Sequence, residues 1–265
     1  MEKTKKKSEW GTYEWSPHTL NCITGCGNDC LYCYSKEMSI RYNRSTPETW
    51  KEEVVRAHDL KKKIKKYDAR VMYPSAHDIR PEHLQENLEF LQHILEAGNE
   101  VLIVSKPHLV SIKAICEKFA KYKDKILFRF TVGSTDDKVL KFWEPNAPGF
   151  KERLACLKWA YKKGFGTSIS CEPMLDNNID KVITKVSPFV SETIWLGKIN
   201  HLIGVTGRGR LDFNGCNDPQ TMAKAQELIA WQSDDKTLQL YDRHKNDPKI
   251  MWKESIKKVS ERKNK

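Results

Sequence analysis

A chain of 265 residues with 46 Lys and Arg against 35 Asp and Glu, a formal net charge of +11, is long enough for one sizeable domain, and no long Pro, Gly or Ser linker divides it. No apolar run approaches the roughly eighteen residues that cross a bilayer, and the start Met1-Glu2-Lys3-Thr4 offers no signal-peptide core, so a cytoplasmic protein with no membrane partner is expected. The basic excess sits largely in residues 3–7, 61–66 and 257–265 as lysines without interleaved aromatics, which favours an anionic small molecule over a nucleic-acid polymer as partner.

In chain order, residues 13–21 read as a first strand. Thr46, Pro47 and Glu48 then supply a cap, a first-turn proline and a first-turn acid for a helix over 47–66. A strand over 69–75 precedes a helix whose Leu84, Leu88, Leu91 and Leu95 share one face and which Gly98 ends. Strands over 100–106, 126–133, 166–172 and 193–199 then alternate with helices over 110–121, 148–163 and 179–186. Short apolar strands alternating with amphipathic helices predict a parallel sheet with helical crossovers. After Asn200 the alternation ends in a Gly/Arg-rich loop over 204–215, a helix over 219–232 and a charged helical tail. The expected division is a basic tail, 1–12, an α/β unit, 13–200, and a C-terminal loop and helical extension, 201–265.

The chemistry concentrates in Cys26-Gly27-Asn28-Asp29-Cys30-Leu31-Tyr32-Cys33-Tyr34. Three thiolates spaced C-x3-C-x2-C satisfy three irons of a 4Fe-4S cluster and leave the fourth iron open. With Cys22 as a fourth ligand, a closed zinc site is the alternative. Four cysteines crowded between positions 22 and 33 suit metal binding better than disulfides in a reducing compartment. Cys116 and Cys156 fall on helices among apolar neighbours, Cys171 should face the helices, and Cys216 lies in a loop within reach of the site.

This loop resembles the signature of the radical SAM superfamily, with Tyr32 in its aromatic position. The resemblance implies a partial (β/α)6 TIM-like barrel over 13–200, with Cys26, Cys30 and Cys33 holding a 4Fe-4S cluster and Cys22 left as a small buried residue. It further implies that S-adenosylmethionine binds the open iron, that an external flavodoxin- or ferredoxin-type donor supplies an electron, and that a 5′-deoxyadenosyl radical attacks the substrate. Residues at the carboxyl ends of the strands then form the site.

A narrower resemblance, to the spore photoproduct lyase group, rests on Tyr32-Cys33-Tyr34, the 75–78 loop, Ser105-Lys106-Pro107, and Glu144-Pro145-Asn146-Ala147-Pro148 followed by Arg153-Leu154. By position it implies that Tyr32, Ser75, Lys106 and Thr131 contact S-adenosylmethionine. Thr131 stands where that group usually has Ser. The group's additional N-terminal segment has no counterpart here, and no further cysteine follows closely after the cluster loop. Glu172-Pro173-Met174-Leu175 with Trp195-Leu196-Gly197 is also similar to a phage-associated radical SAM family.

Within the group the chain most resembles queuine lyase, which implies a small nucleotide substrate and release of queuine from queuosine 5′-phosphate in queuosine salvage. A lyase for DNA lesions or a nucleic-acid modifier is the enzymatic alternative, and a zinc-binding module the non-enzymatic one. Strand alternation turns Arg129 inward with Thr131, and Ser168 and Ser170 inward with Glu172. Arg129, Lys198, Arg208 and Arg210 are the expected phosphate ligands, and Glu172, His77 and Asp78 the expected partners of polar base or amine groups. For Arg129 the competing expectation is an internal ion pair with Glu172 or Asp78.

Overall fold

The computed structural model describes residues 11–205 and 207–263, so the basic run at 3–7 lies outside the described residues. The first elements are β1 (His18–Thr19), β2 (Ile23–Thr24), α1 (Tyr34–Arg41), β3 (Val54–Val55), α2 (Ala57–Lys61), β4 (Val71–Met72) and α3 (Leu84–Glu96). There follow β5 (Val101–Ser105), α4 (Leu109–Lys118), β6 (Ile126–Thr131), α5 (Asp137–Trp143), α6 (Phe150–Lys162), β7 (Gly166–Cys171), α7 (Ile179–Val186) and β8 (Ile194–Leu196). The extension contributes α8 (Arg210–Phe213), α9 (Pro219–Trp231), α10 (Asp234–His244), β9 (Ile250–Trp252) and α11 (Glu254–Lys263).

Seven strands form one parallel sheet in the order β1-β4-β5-β6-β7-β8-β9, curved into a half-barrel with helices around it. Alternation divides the residues of each strand between two environments. Phe128 and Phe130 of β6 and Ile169 and Cys171 of β7 join the apolar layer beneath the helices, with Cys116 and Cys156. Arg129 and Thr131 point the other way and pair in register with Ser168 and Ser170, so the barrel interior is polar at this level. On α3, Leu88, Leu91 and Leu95 are buried and Leu84 packs against the same core, as their spacing requires.

Three segments depart from the sequence expectation. Residues 13–21 yield only the two-residue β1, because Trp15 and Ser16 donate to the Thr12 carbonyl and close a helical turn first. The helix over 47–66 is absent. Thr46 and Thr49 close on each other to make one tight turn, the β-branched pair Val54–Val55 joins β2 in an antiparallel ribbon, and only α2 is helical. The lysine run beyond it offers the core only Ile64, too little for the apolar face of a helix. The tail, expected to be helical, also supplies β9, whose Ile250, Met251 and Trp252 stand beside Ile194, Trp195 and Leu196 of β8. Among the described residues no helix is long and apolar enough to cross a membrane.

Candidate functional site

The cysteine loop leaves β2 and passes over the carboxyl ends of the sheet. Asp29 adopts a left-handed φ of 45°, a conformation Asp tolerates better than most residues. At Gly27 a β-carbon would overlap the Arg80 guanidinium, so a larger residue there would have to push that side chain aside. The loop ends by starting α1, where the Cys33 sulfur accepts from Lys36 N at 3.3 Å. Cys26 and Cys30 are buried and Cys33 is partly exposed. Burial pushes all three thiols up. Cys22, also buried, lies 3.1 Å from the Tyr73 hydroxyl and is pushed up to about 11, chiefly by burial.

Two buried carboxylates fix the loop from below. Asp78 accepts from Asn28 Nδ2 at 2.7 Å, Ser105 Oγ at 2.9 Å and Lys106 N at 2.7 Å, and the Lys106 ammonium lies 3.9 Å away. Burial alone would raise the Asp78 carboxyl, but Lys106 and these hydrogen bonds outweigh it and hold it below the usual carboxylate range. Glu144, the second, accepts from the Tyr32 hydroxyl and pairs with Arg153, which also donates to the carbonyls of Pro148 at 2.7 Å and Thr131 at 3.1 Å. Asn146 Nδ2 reaches the Gly27 carbonyl at 3.0 Å. The extension grips the loop from the outer side: Asn214 Nδ2 donates to the carbonyls of Leu31 at 2.9 Å and Cys33 at 3.1 Å. Arg210 donates to Glu37 at 2.9 Å and to the Tyr32 carbonyl at 3.2 Å.

Around the loop, Lys106 directly follows β5, with its ammonium 5.8 Å from the Tyr32 ring centroid. Burial opposes its charge, yet Cys30, Tyr32, Asp78 and Glu144 together push its pKa well up. Asn21 orients the Ser75 hydroxyl at 2.9 Å and takes the backbone N–H groups of Ser75 and Ala76 at 2.8 Å each. Thr131 is buried at the end of β6 with no side-chain hydrogen bond among the described residues. His77 is buried behind Asp78, its Nδ1 at 3.1 Å from the Asp78 carbonyl, and burial pushes it down to about 4.

Beside the loop a cavity of about 570 Å³ opens at the barrel mouth, lined among others by Trp15, Tyr32, Tyr34, Glu172, Lys198 and Arg210. Four of the seven residues expected to meet substrate fall elsewhere. His77 and Asp78 lie beneath the cluster loop. Arg208 stacks on Phe213, 4.4 Å from its ring centroid, in an adjoining groove. Arg129 is on the barrel floor, its guanidinium 5.0 Å from the Trp15 ring and 5.2 Å from the Trp195 ring, with Nε donating to Ser168 at 3.0 Å. It has no ion pair with Glu172 or Asp78, and burial pushes it down to about 10. Glu144, Arg153, Asn21, Asn28, Asn214 and Lys253 were not singled out as site residues. Asn28 stands inside the cysteine-loop motif and Glu144 and Arg153 inside a second motif, in each case without an assigned role.

The family model described as the radical SAM superfamily matches residues 20–182, more than half of the chain and the stretch from β2 through β7. The chain belongs to the radical SAM superfamily. A curated relative, the uncharacterized protein ORF301 of Acidianus two-tailed virus, is 25% identical over 171 residues, covering 60% of this chain and 56% of the viral one. Among solved structures, a spore photoproduct lyase variant with bound AdoMet and dinucleoside spore photoproduct superposes with a TM-score of 0.51 at 16% identity, over 68% of this chain and 56% of that one. A second spore photoproduct lyase variant gives a TM-score of 0.54 at 12% identity, over 94% and 79%. Streptococcus suis SuiB bound to S-adenosylmethionine gives 0.50 at 13%, over 89% and 51%. This radical SAM chain therefore spans little more than half the length of the viral relative, and the structural likenesses establish the fold.

The cofactors of a radical SAM enzyme are a 4Fe-4S cluster and S-adenosylmethionine, and the residues fit both. Among the described residues no three His, Cys, Asp or Glu donors converge on one point as a single ion requires. A cluster asks for something different, because it presents a separate iron to each of Cys26, Cys30 and Cys33. The Lys106 ammonium, close enough to act on the Cys30 thiol, matches a carboxylate, and the hydroxyls of Ser75, in the loop after β4, and Thr131, at the end of β6, match a ribose edge.

Proposed function

We propose that this radical SAM enzyme is a lyase acting on a modified nucleotide in the mouth cavity, and that it releases queuine from queuosine 5′-phosphate. The observation that carries the reading is the cavity itself, whose volume of about 570 Å³ suits a mononucleotide and whose walls set Trp15, Tyr32 and Tyr34 beside Lys198 and Arg210. Aromatic faces stack on a base, and a guanidinium fork matches phosphate oxygens. Arg210 commits Nε and Nη1 to Glu37 and Tyr32, leaving Nη2 without a partner among the described residues for that role.

When bound, the cluster and S-adenosylmethionine supply a 5′-deoxyadenosyl radical. Cys26, Cys30 and Cys33 hold the cluster, Lys106 takes the S-adenosylmethionine carboxylate, and Ser75, Thr131 and Tyr32 border the rest of that molecule. Tyr32 lines the cavity as well, so the nucleotide shares a wall with the cofactor. Lys198 and Arg210 set the electrostatic rim of the cavity. The partners of this reading are the nucleotide and a flavodoxin- or ferredoxin-type donor, in the cytoplasm. Residues 13–200 act as the catalytic barrel, 201–265 as its extension and 1–12 as a basic tail.

The test is anaerobic turnover of queuosine 5′-phosphate, its dephosphorylated nucleoside and the dinucleoside spore photoproduct. Free queuine from the phosphorylated compound alone is expected, with shallow salt dependence because few phosphates are contacted. Conversion of the dinucleoside without release of queuine would replace this reading with lesion repair.

A further inference from the structure

Behind one wall of the mouth cavity stands a buried lysine of the extension that holds three of the lining residues. Lys253, directly after β9, is 2% exposed, and its ammonium donates to the Gly11 carbonyl at 2.7 Å. The same ammonium lies 2.9 Å from Glu14 Oε1, 3.3 Å from Glu172 Oε2 and 4.3 Å from the Trp15 ring centroid. Gly11, Trp15 and Glu172 all line the cavity. A single buried charge thus fastens the N-terminal turn, the end of β7 and the start of α11 at one point.

Glu172 keeps one oxygen uncommitted. Oε2 faces Lys253, whereas Oε1 has no partner among the described residues, and the side chain is 24% exposed where it meets the cavity. Both Glu14 oxygens are used, the second accepting from Glu254 N at 3.2 Å. Other cations nearby are engaged: Arg210 with Glu37 at 2.9 Å, Lys198 with Asp234 at 3.1 Å, and Arg129 with Ser168 and two indole rings. One ammonium shared by two carboxylates leaves negative character on the cavity side of Glu172.

We infer that Glu172 Oε1 is a recognition point for a protonated amine on the ligand, and that Lys253 is the positioning residue that holds it there. The inference rests on the nucleotide reading of the cavity and names the class of substituent its base carries: an ammonium rather than a carbonyl, nitrile or further phosphate. Trp15, held against Lys253, supplies an aromatic face for the group that bears the amine.

The experiment is calorimetric titration of cluster-loaded, S-adenosylmethionine-bound protein with two probe pairs. One pair is 7-aminomethyl- and 7-cyano-7-deazaguanosine 5′-phosphate, and the other is benzylammonium and benzyl alcohol, which need no nucleotide site. A charge-assisted hydrogen bond predicts about a ten- to hundredfold preference for each ammonium, reduced to within about threefold in Glu172→Gln. The groups that face Glu172 are Lys253, Glu14, Arg210 and, more weakly, Arg129. Burial raises the Glu172 carboxyl and Lys253 counters it, so the preference should fade on acidification, and in Lys253→Met it should fade at a higher pH. Preference in the benzyl pair with neither nucleotide bound would keep the amine subsite and remove the nucleotide reading. An undiminished preference in Glu172→Gln, or no ammonium preference in either pair, would overturn the inference.

Discussion

Replacing Arg153 by Met should remove the support beneath the cysteine loop. Arg153 is fully buried, bonds two backbone carbonyls at 2.7 and 3.1 Å, and neutralises Glu144, whose other oxygen takes the Tyr32 hydroxyl. Met fills a similar volume but leaves a buried carboxylate without its cation, which typically costs about 3–5 kcal/mol. That is a large share of the roughly 5–15 kcal/mol that holds a domain folded. With a urea slope of about 1–3 kcal/mol per molar, the midpoint should fall by more than about 1 M. Adding Glu144→Gln removes the orphaned charge and keeps an acceptor for Tyr32, so the double variant should recover part of the loss. Anaerobic urea denaturation of the four proteins, followed by tryptophan fluorescence, completes the cycle, and a coupling of about 1–3 kcal/mol is expected. Simple additivity of the two losses would refute the reasoning that the pair acts as one buried unit.

Alanine at Cys26, Cys30 or Cys33 should abolish the iron-sulfur chromophore, whereas Cys22→Ala, which removes only a buried contact to Tyr73, should keep about four irons per chain; loss of iron in the Cys22 variant would change the ligand assignment. Lys106→Ala should weaken S-adenosylmethionine binding by about ten- to more than a hundredfold, the worth of a charge-assisted hydrogen bond, and unchanged affinity by equilibrium dialysis would reject the role. His77 titrates at about 4 in the fold against an ordinary 6.5, so between those values the unfolded chain binds the extra proton, and stability rises with pH across that window. On acidification from 6.5 toward 4 this group alone should remove roughly 3 kcal/mol, and His77→Gln should flatten the denaturation profile; an identical profile in the variant would exclude His77 as its source.

The cysteine loop was legible because its spacing is local, and the alternation of β5, α4, β6, α6, β7 and α7 was legible because each element carries its own period. What stayed hidden depends on contacts between distant segments. Asn214 and Lys253 look like ordinary polar residues of a charged tail until the fold sets them against the cluster loop and the N-terminal turn. Asp78 reads as a loop acid able to meet substrate, and only its hydrogen bonds to Asn28 on one side and to Ser105 and Lys106 on the other show that it ties the cysteine loop to the end of β5. For Arg129 the alternation gave the correct direction, but Trp15 and Trp195 close over it, and no pattern in β6 announces them. The helix expected over 47–66 failed because its start signals were real for only one turn, while Val54 and Val55 had a partner in β2.

The most direct test of the account follows one hydrogen atom. Anaerobically reconstituted protein, with S-adenosylmethionine and a reductant, is given queuosine 5′-phosphate fully deuterated in its ribose, and the 5′-deoxyadenosine formed is weighed by mass spectrometry. The account predicts 5′-deoxyadenosine carrying deuterium from the nucleotide together with an equivalent of free queuine. Deuterium-free 5′-deoxyadenosine, with the nucleotide intact, would contradict it.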